Sequence, residues 1–447
     1  MAIALTPRVP CHLFARHVFH ARLQNEPDGL PLTANSVERD LCHTIQMSFD
    51  FDLVVERAYT DSVKWAKYAG NGGRREVSRD TVAAQGDRDV IPLWVADMDF
   101  AAPPAVLAAL RRRIDHGVFG YNQPTASQTA AVVAYLERKF DWNIDPGWIV
   151  WLPGLVSGLN VACRAVGAAG DAVFTATPIY PPFLSAPTLS GRRVASAPLV
   201  CGSAGWLWDF PTVDAVLRTS RAKLFLLCHP HNPTGRVWND DELWQIAHLA
   251  EKYDMVVCSD EIHNGLILSP SRQHRLFATL GPEIAARTIT LLAPSKTFNI
   301  PGLGCAFAVI PDSRLRRGFR DAMHGIVPHV NALGMMATEA ALTLCDDWQA
   351  ALIDYLRANL HAVLQAVASV PGLDMRPVEA TYLAWIDARE FAADRGIANP
   401  AQWFEQHGLG LSDGADFGAA GFVRLNFGTR RALLEEALAR LRQAIGA

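Results

Sequence analysis

Residues 223–263 read KLFLLCHPHNPTGRVWNDDELWQIAHLAEKYDMVVCSDEIH. Two short apolar runs, KLFLLC (223–228) and MVVCS (255–259), enclose an amphipathic stretch of helical period, and each breaks off at a polar or glycine-bearing cluster. Short runs rich in Val, Ile, Leu and Phe that alternate with such stretches are the pattern of βαβ units feeding a mostly parallel sheet. WIVWL (148–152), AVFTA (172–176) and TITLL (288–292) are further strands of the same kind, and the alternation holds from about residue 100 to 330. Past 330 the texture changes. NALGMMATEAALTLC and DWQAALIDYLRANLHAVLQAVASV predict long helices, GFVRLNF a late strand, and a closing helix follows. The expectation is an α/β chain with a large domain at 100–330 around a mostly parallel sheet and a smaller α+β domain from 47–99 plus 331–447. Residues 1–46 keep no sustained period and predict a poorly ordered extension, with Met47 as an alternative start.

At 447 residues, half of them apolar, the chain exceeds what one hydrophobic core usually holds, which also favours two domains. A net charge of -4 and the lack of a Lys/Arg-rich run argue against nucleic acid as a partner. The eight cysteines are scattered without close pairs, which suits a reducing cytoplasm. No apolar stretch approaches the ~20 residues that span a bilayer, and the N-terminus lacks a signal pattern. The expectation is a cytoplasmic protein, neither secreted nor membrane-bound.

Open α/β sheets bind ligands beyond the carboxyl ends of their strands, so the clusters after the apolar runs are expected to converge. Lys296, in APSKTFNIPGLG, follows TITLL at once; partial desolvation there would depress its pKa and favour a nucleophilic amine, whereas an isolated lysine is as a rule solvated. Asp260 closes MVVCSD, where a buried carboxylate needs a cationic partner and an exposed one is a helix cap. Gly154, in WLPGLVSGLN, stands between a strand and an apolar helix whose free N–H groups can hold a phosphate. Asn232, in CHPHNPTG, offers an amide donor, although an Asn-Pro pair alone is ordinary turn chemistry. Arg424 interrupts the apolar GFVRLNF, as a guanidinium for a carboxylate ligand or as half of a buried ion pair.

Together these supply what an amino-acid site built on pyridoxal 5'-phosphate requires. The amine forms an imine, the carboxylate keeps the pyridine nitrogen protonated, the helix start cradles the phosphate, the amide meets the ring oxygen, and the guanidinium takes the substrate carboxylate. His229, His231 and His263 lie nearby, but no ligand spacing completes a metal set, so no metal is expected. GLGLSD at 408–413 has Asp413 where a dinucleotide fingerprint needs its third glycine.

WVADMDF (94–100), GVFGY (117–121), TPIYPPF (177–183), HNPTG (231–235), SDEIH (259–263), SKTFNIPGL (295–303) and RLNFG (424–428) occur in this order over most of the chain. The series resembles the fold-type I, aspartate-aminotransferase-like enzymes, and within them the MalY/PatB group of cystathionine β-lyases. That resemblance implies pyridoxal 5'-phosphate bound as a Schiff base on Lys296, with Asp260 under the ring nitrogen, Asn232 at the ring oxygen and Arg424 on the substrate carboxylate. It implies Tyr180 stacked on the ring, a phosphate cradle at Gly154, Leu155 and Val156, and Ala96 lining the substrate. His263 and Ser295 are further cofactor contacts on this reading. Tyr121 would reach the phosphate of a neighbouring subunit, which implies a homodimer. Two positions depart from relatives: Ala293 replaces a serine three residues before the lysine, and Gly304 an arginine eight residues after it. The implied activity is β-elimination from L-cystathionine or a related cysteine S-conjugate. An aminotransferase shares the first half of that chemistry and is the first alternative; a regulatory binding protein that keeps the cofactor is the alternative of another class.

Overall fold

The computed structural model describes residues 49–58, 60–68, 90–203 and 205–444. The expected extension at 1–46 and the alternative start at Met47 lie outside these residues. Every element below belongs to the unit Asp50–Ala447.

Each Val-, Leu- or Phe-rich run forms a strand. After a short β1 (Ile91–Pro92) come β2 (Ile149–Leu152), β3 (Ala172–Thr177), β4 (Arg193–Pro198), the antiparallel pair β5 (Val200–Gly202) and β6 (Gly205–Leu207), β7 (Leu224–Cys228), β8 (Val256–Asp260), β9 (Thr288–Leu292) and β10 (Ala306–Val309). Seven of them make one sheet in the order β2-β10-β9-β8-β7-β3-β4. Strands β9, β8, β7, β3 and β4 pair in parallel, and β10 runs antiparallel to both β2 and β9. Strands β4 and β10 were absent from the sequence-based set. Arg193–Pro198 mixes polar residues into an edge strand with an exposed pattern, which hides it among loops.

The apolar runs are continuous because both faces of the sheet are covered. In β7, Leu224, Leu226 and Cys228 join one core while Phe225 and Leu227 join the other. Helix Leu155–Ala165 packs Leu159, Val161 and Ala162 onto the first face; helix Asp240–Lys252 packs Leu243, Ile246 and Ala250 onto the second. The second helix opens with a capping box, in which Asn239 accepts the Glu242 amide and Glu242 accepts the Asn239 amide.

The late strand belongs to a separate antiparallel sheet, β11 (Asp374–Met375), β12 (Leu383–Asp387), β15 (Phe422–Asn426) and β14 (Ser412–Asp413) in that spatial order. Strand β13 (Leu409–Gly410) pairs in parallel with β1. The long helices Ala332–Leu344 and Asp346–Ala368 and the closing helix Arg431–Ala444 form where their patterns predict them. No helix among the described residues is long and apolar enough to cross a membrane.

Candidate active site

Because β10 is antiparallel to β2 and β9, β2 runs in the same direction as β9, β8, β7 and β3. The carboxyl ends of these five strands therefore share one edge, and the polar residues that follow them meet there. Arg424 comes to the same place from the small sheet, where β15 holds it between Trp385 of β12 and Ser412 of β14.

Asp260 ends β8 and is 5% exposed. Among the described residues its one side-chain hydrogen bond is from the Ile262 amide to Oδ1 (3.1 Å). Burial pushes its carboxyl up to about 7, Glu261 adds to the rise, and the Ile262 amide and Lys296 oppose it. Such a carboxylate lacks a bonded cation, and a protonated ring nitrogen would supply one.

Lys296 sits in the turn after β9, where Nζ donates to the Ala96 carbonyl (2.6 Å). Burial brings its amine down to about 8; Asp97 and Asp260 resist that fall and Arg424 reinforces it. Near neutral pH a usable fraction is therefore the nucleophilic free base.

Arg424 is 5% exposed, and no carboxylate pairs with it among the described residues. Its Nη1 donates to Asn232 Oδ1 (3.1 Å), and Nη2 donates to the Trp94 carbonyl (2.9 Å) and Ser412 Oγ (3.3 Å). The Nε–H is buried without a protein partner, and the guanidinium lies 4.7 Å over the Phe417 ring. Burial lowers its pKa to about 10. Among the described residues the buried-ion-pair alternative thus lacks its anion, and a buried cation in that condition calls for an anion from outside the protein.

The remaining expected residues fall around these three. Tyr180 follows β3, its amide bonded to the Asn232 carbonyl (3.1 Å), and its phenol feels the charges of Arg424 and Asp260. His263 is buried and held neutral, its pKa brought to about 3 by burial and then by Lys296 and Arg424. Its ring meets Tyr382 edge-on at 6.3 Å, and Nδ1 has no partner among the described residues. Gly154 is the N-cap of the helix Leu155–Ala165 with no side-chain cap, so the first amides of that helix, from Leu155 and Val156 on, lack intrahelical acceptors. A Cβ at Gly154 would meet nothing within 4 Å, which leaves room in front of those amides. Ser295 lies part-buried in the lysine's own turn.

Two groups stand elsewhere. Tyr121 is fully exposed, between the helices Pro104–His116 and Ala126–Phe140, apart from the cluster. His229 and His231 serve the structure: His229 Nε2 pairs with the Arg275 carbonyl (3.1 Å) and His231 Nδ1 with Thr234 Oγ1 (2.9 Å). At Gly304 the backbone is left-handed (φ 55°) and a Cβ would lie 3.4 Å from the Pro153 carbonyl, so a side chain there would be strained.

Sequence reasoning missed the groups that hold the site together. Asn299 binds the Met98 amide and the Met98 and Phe100 carbonyls; Asn426 binds the Val95 and Asp97 carbonyls. Arg57 bridges Asp97 (2.6 Å) and Asp99 (2.7 Å), and Tyr382 donates to the Ala96 carbonyl (2.8 Å). Asn299 and Asn426 lie inside the quoted motifs, two or three residues from Lys296 and Arg424, which was the available signal. The set as a whole fits pyridoxal 5'-phosphate with an amino acid: a buried carboxylate without its cation, a buried guanidinium donor without its acceptor, and uncapped helix amides facing open space.

Residues 88–441 match the family described as Aminotransferase class I and II. Cystathionine β-lyase PatB of Bacillus subtilis is 33% identical over 404 residues, covering 89% of this chain and all of PatB. The crystal structure of OvoB superposes with a TM-score of 0.82 at 44% identity, over 89% of this chain and all of that one. The pyridoxal-phosphate-bound C-S lyase of Staphylococcus hominis superposes with a TM-score of 0.80 at 27% identity, over 90% and 99% of the two chains. On a match that runs from before WVADMDF to the closing helix, the chain belongs to the aminotransferase class I and II family.

Proposed function

We propose that this protein is a pyridoxal-phosphate-dependent carbon-sulfur β-lyase that cleaves L-cystathionine or a related cysteine S-conjugate to a thiol, pyruvate and ammonia. The observation that carries the reading is the buried Arg424, without a carboxylate partner among the described residues, set beside an amine, Lys296, that burial has made basic at an accessible pH. Full-length similarity to PatB and to the S. hominis enzyme supports elimination over transamination.

Lys296 would carry the cofactor, Asp260 would hold a proton on its ring nitrogen, and the Asn232 amide would donate to its ring oxygen. Tyr180 and His263 flank the ring, and the helix start at Gly154, Leu155 and Val156, with Ser295, takes the phosphate. Bound there, the cofactor supplies an electron sink for the pair left when the Cα–H bond breaks. Arg424 anchors the substrate carboxylate and so turns Cα toward Lys296, next to Ala96. The free amine of Lys296 takes the Cα proton, because it is held within reach and its pKa lies near the working range. The same nitrogen, now an ammonium, can return a proton to the departing sulfur.

The exposed Tyr121 is read as a group that completes the site of a second subunit, which makes the working form a homodimer, and a cytoplasmic location fits the scattered thiols. The test is product analysis with L-cystathionine: pyruvate and ammonia should appear in equal amounts without a 2-oxo acid. Strict dependence on an added 2-oxo acid would overturn the lyase reading in favour of an aminotransferase.

A further inference from the structure

The Ala96 carbonyl accepts two hydrogen bonds, from Lys296 Nζ (2.6 Å) and from the Tyr382 hydroxyl (2.8 Å). A carbonyl oxygen has two lone pairs, so both are occupied. The peptides on either side of it are fixed as well. Asn426 Nδ2 donates to the Val95 and Asp97 carbonyls (2.6 Å each), and Arg57 holds the Asp97 carboxylate (2.6 Å) and the Met98 carbonyl (3.0 Å). Asn299 then clamps Met98 through both its amide and its carbonyl (2.9 Å each). Ala96 O cannot swing away without breaking several of these bonds.

Tyr382 is 1% exposed, and burial pushes its phenol well above the ordinary range. It is therefore a permanent donor and neither gives up nor takes a proton at working pH. Among the described residues its one acceptor is the oxygen it shares with Lys296. A free lysine amine has four rotatable bonds behind it, and proton removal from a substrate carbon requires its lone pair to face that carbon. An N–H tied to an immobile oxygen removes much of that freedom.

We propose that the Ala96 carbonyl and the Tyr382 hydroxyl form a cradle that aims the Lys296 amine at the substrate Cα whenever the amine is free, with Tyr382 the positioning residue. The proposal rests on the reading of Lys296 as the base. In the step it serves, the Cα–H bond breaks, its proton goes to the Nζ lone pair, and its electron pair stays with the substrate and its cofactor. The resulting ammonium keeps one N–H on Ala96 O and has two others for the leaving group.

The test uses the holoenzyme and L-alanine, which has no leaving group on Cβ, so that only the proton transfer is seen. Exchange of its Cα proton in deuterium oxide is followed by NMR, and half-saturation is read from the cofactor's absorbance. Tyr382→Phe should slow exchange at saturation by about 10- to 100-fold, the scale set by a misplaced catalytic group, while half-saturation moves less than about twofold. An unchanged exchange rate overturns the cradle, and so does a loss of exchange and binding in equal proportion, the mark of a purely structural tyrosine. If the wild type fails to exchange, the reading of Lys296 as base falls instead. Should Tyr382→Phe not accumulate as folded protein, Asn426→Ser releases the Val95 and Asp97 carbonyls that flank Ala96 O with Tyr382 in place, and the same two readouts apply.

Discussion

Arg424 Nη1 donates to Asn232 Oδ1 across 3.1 Å, so a strand of the small sheet orients the amide that follows a strand of the large one. The guanidinium has only donors, which fixes the oxygen of Asn232 toward Arg424 and its NH2 away from it. On the proposed site one contact would thus prepare both the donor for the ring oxygen and the cation for the substrate. Asn232→Asp keeps an acceptor for Arg424 but has no N–H. The variant should bind cofactor about 10- to 100-fold more weakly, the equivalent of one hydrogen bond to a charged group, and its absorbance maximum should shift. An unchanged spectrum and affinity would show that Asn232 makes no contact with the ring.

Arg424→Ala removes a buried cation that has no carboxylate partner among the described residues. On the site proposed above, KM should rise at least about 30-fold, the lower end of what a buried carboxylate pair contributes, with covalent cofactor attachment retained. The variant also strips partners from Asn232 Oδ1 and the Trp94 carbonyl, so Tm must be measured beside KM. A fall in Tm with KM unchanged would make Arg424 a structural residue.

Strand ends were legible in the sequence because the buried runs are unbroken and each stops at a residue apolar packing does not want: Asp260 after MVVCS, the Lys296 turn after TITLL. Strand β10 escaped because CAFAV follows the glycine-bearing turn after the lysine with only the 3-10 turn Pro301–Leu303 and no α-helix between, so the βαβ rhythm gave no cue; its antiparallel course fits that short connection. The clamps on residues 94–100 were illegible for another reason. Arg57, Lys64, Asn299, Tyr382 and Asn426 act through contacts between segments tens to hundreds of residues apart, and no local period encodes those. Residue type showed what chemistry could be done at 296 and 260, and only the fold shows what holds those groups in place.

Lys296→Ala should leave the protein folded and its noncovalent cofactor site intact. Borohydride reduction followed by peptide mass analysis should add the cofactor's mass to the Lys296 peptide in the wild type alone. A reduced adduct on another lysine of the variant would move the assignment elsewhere.

Lys64 is fully buried with Nζ 2.7 Å from Asp99 Oδ2, and Arg57 and Trp65 bind the other oxygen. The pair pins residues 60–68 to the segment after β1 whose Ala96 carbonyl meets Lys296. Lys64→Met leaves the Asp99 Oδ1 contacts to Arg57 and Trp65 but strips the cation from Oδ2, so destabilisation should be about 3 kcal/mol, the low end for breaking a buried pair, seen in urea denaturation. Adding Asp99→Asn should recover part of it. If the single variant is as stable as wild type, the pair contributes nothing beyond its own desolvation.

Asp260 pits function against stability. Its carboxyl is raised to about 7 in the folded protein from an ordinary 3.8, mainly by burial. The folded state therefore binds more protons than the unfolded one between those values. The extra stability of the protonated form is fully present below about 4, is lost as pH rises toward 7, and stays lost above it. Glu261 shifts in the same direction for the same reason, so the wild-type pH dependence is shared. Asp260→Asn separates them: cofactor-free variant should be more stable than cofactor-free wild type at pH 8, by on the order of 2–4 kcal/mol, and the difference should shrink to nothing near pH 4. On the site proposed above the same change removes the anion beneath the ring nitrogen, so turnover should fall by several orders of magnitude while the cofactor still attaches to Lys296. Chemical denaturation of both cofactor-free proteins across pH 4–8 measures the first effect and single-turnover kinetics the second. Equal stability at pH 8 would mean that Asp260 is not desolvated, and full activity in the asparagine variant would mean that it does not face the ring.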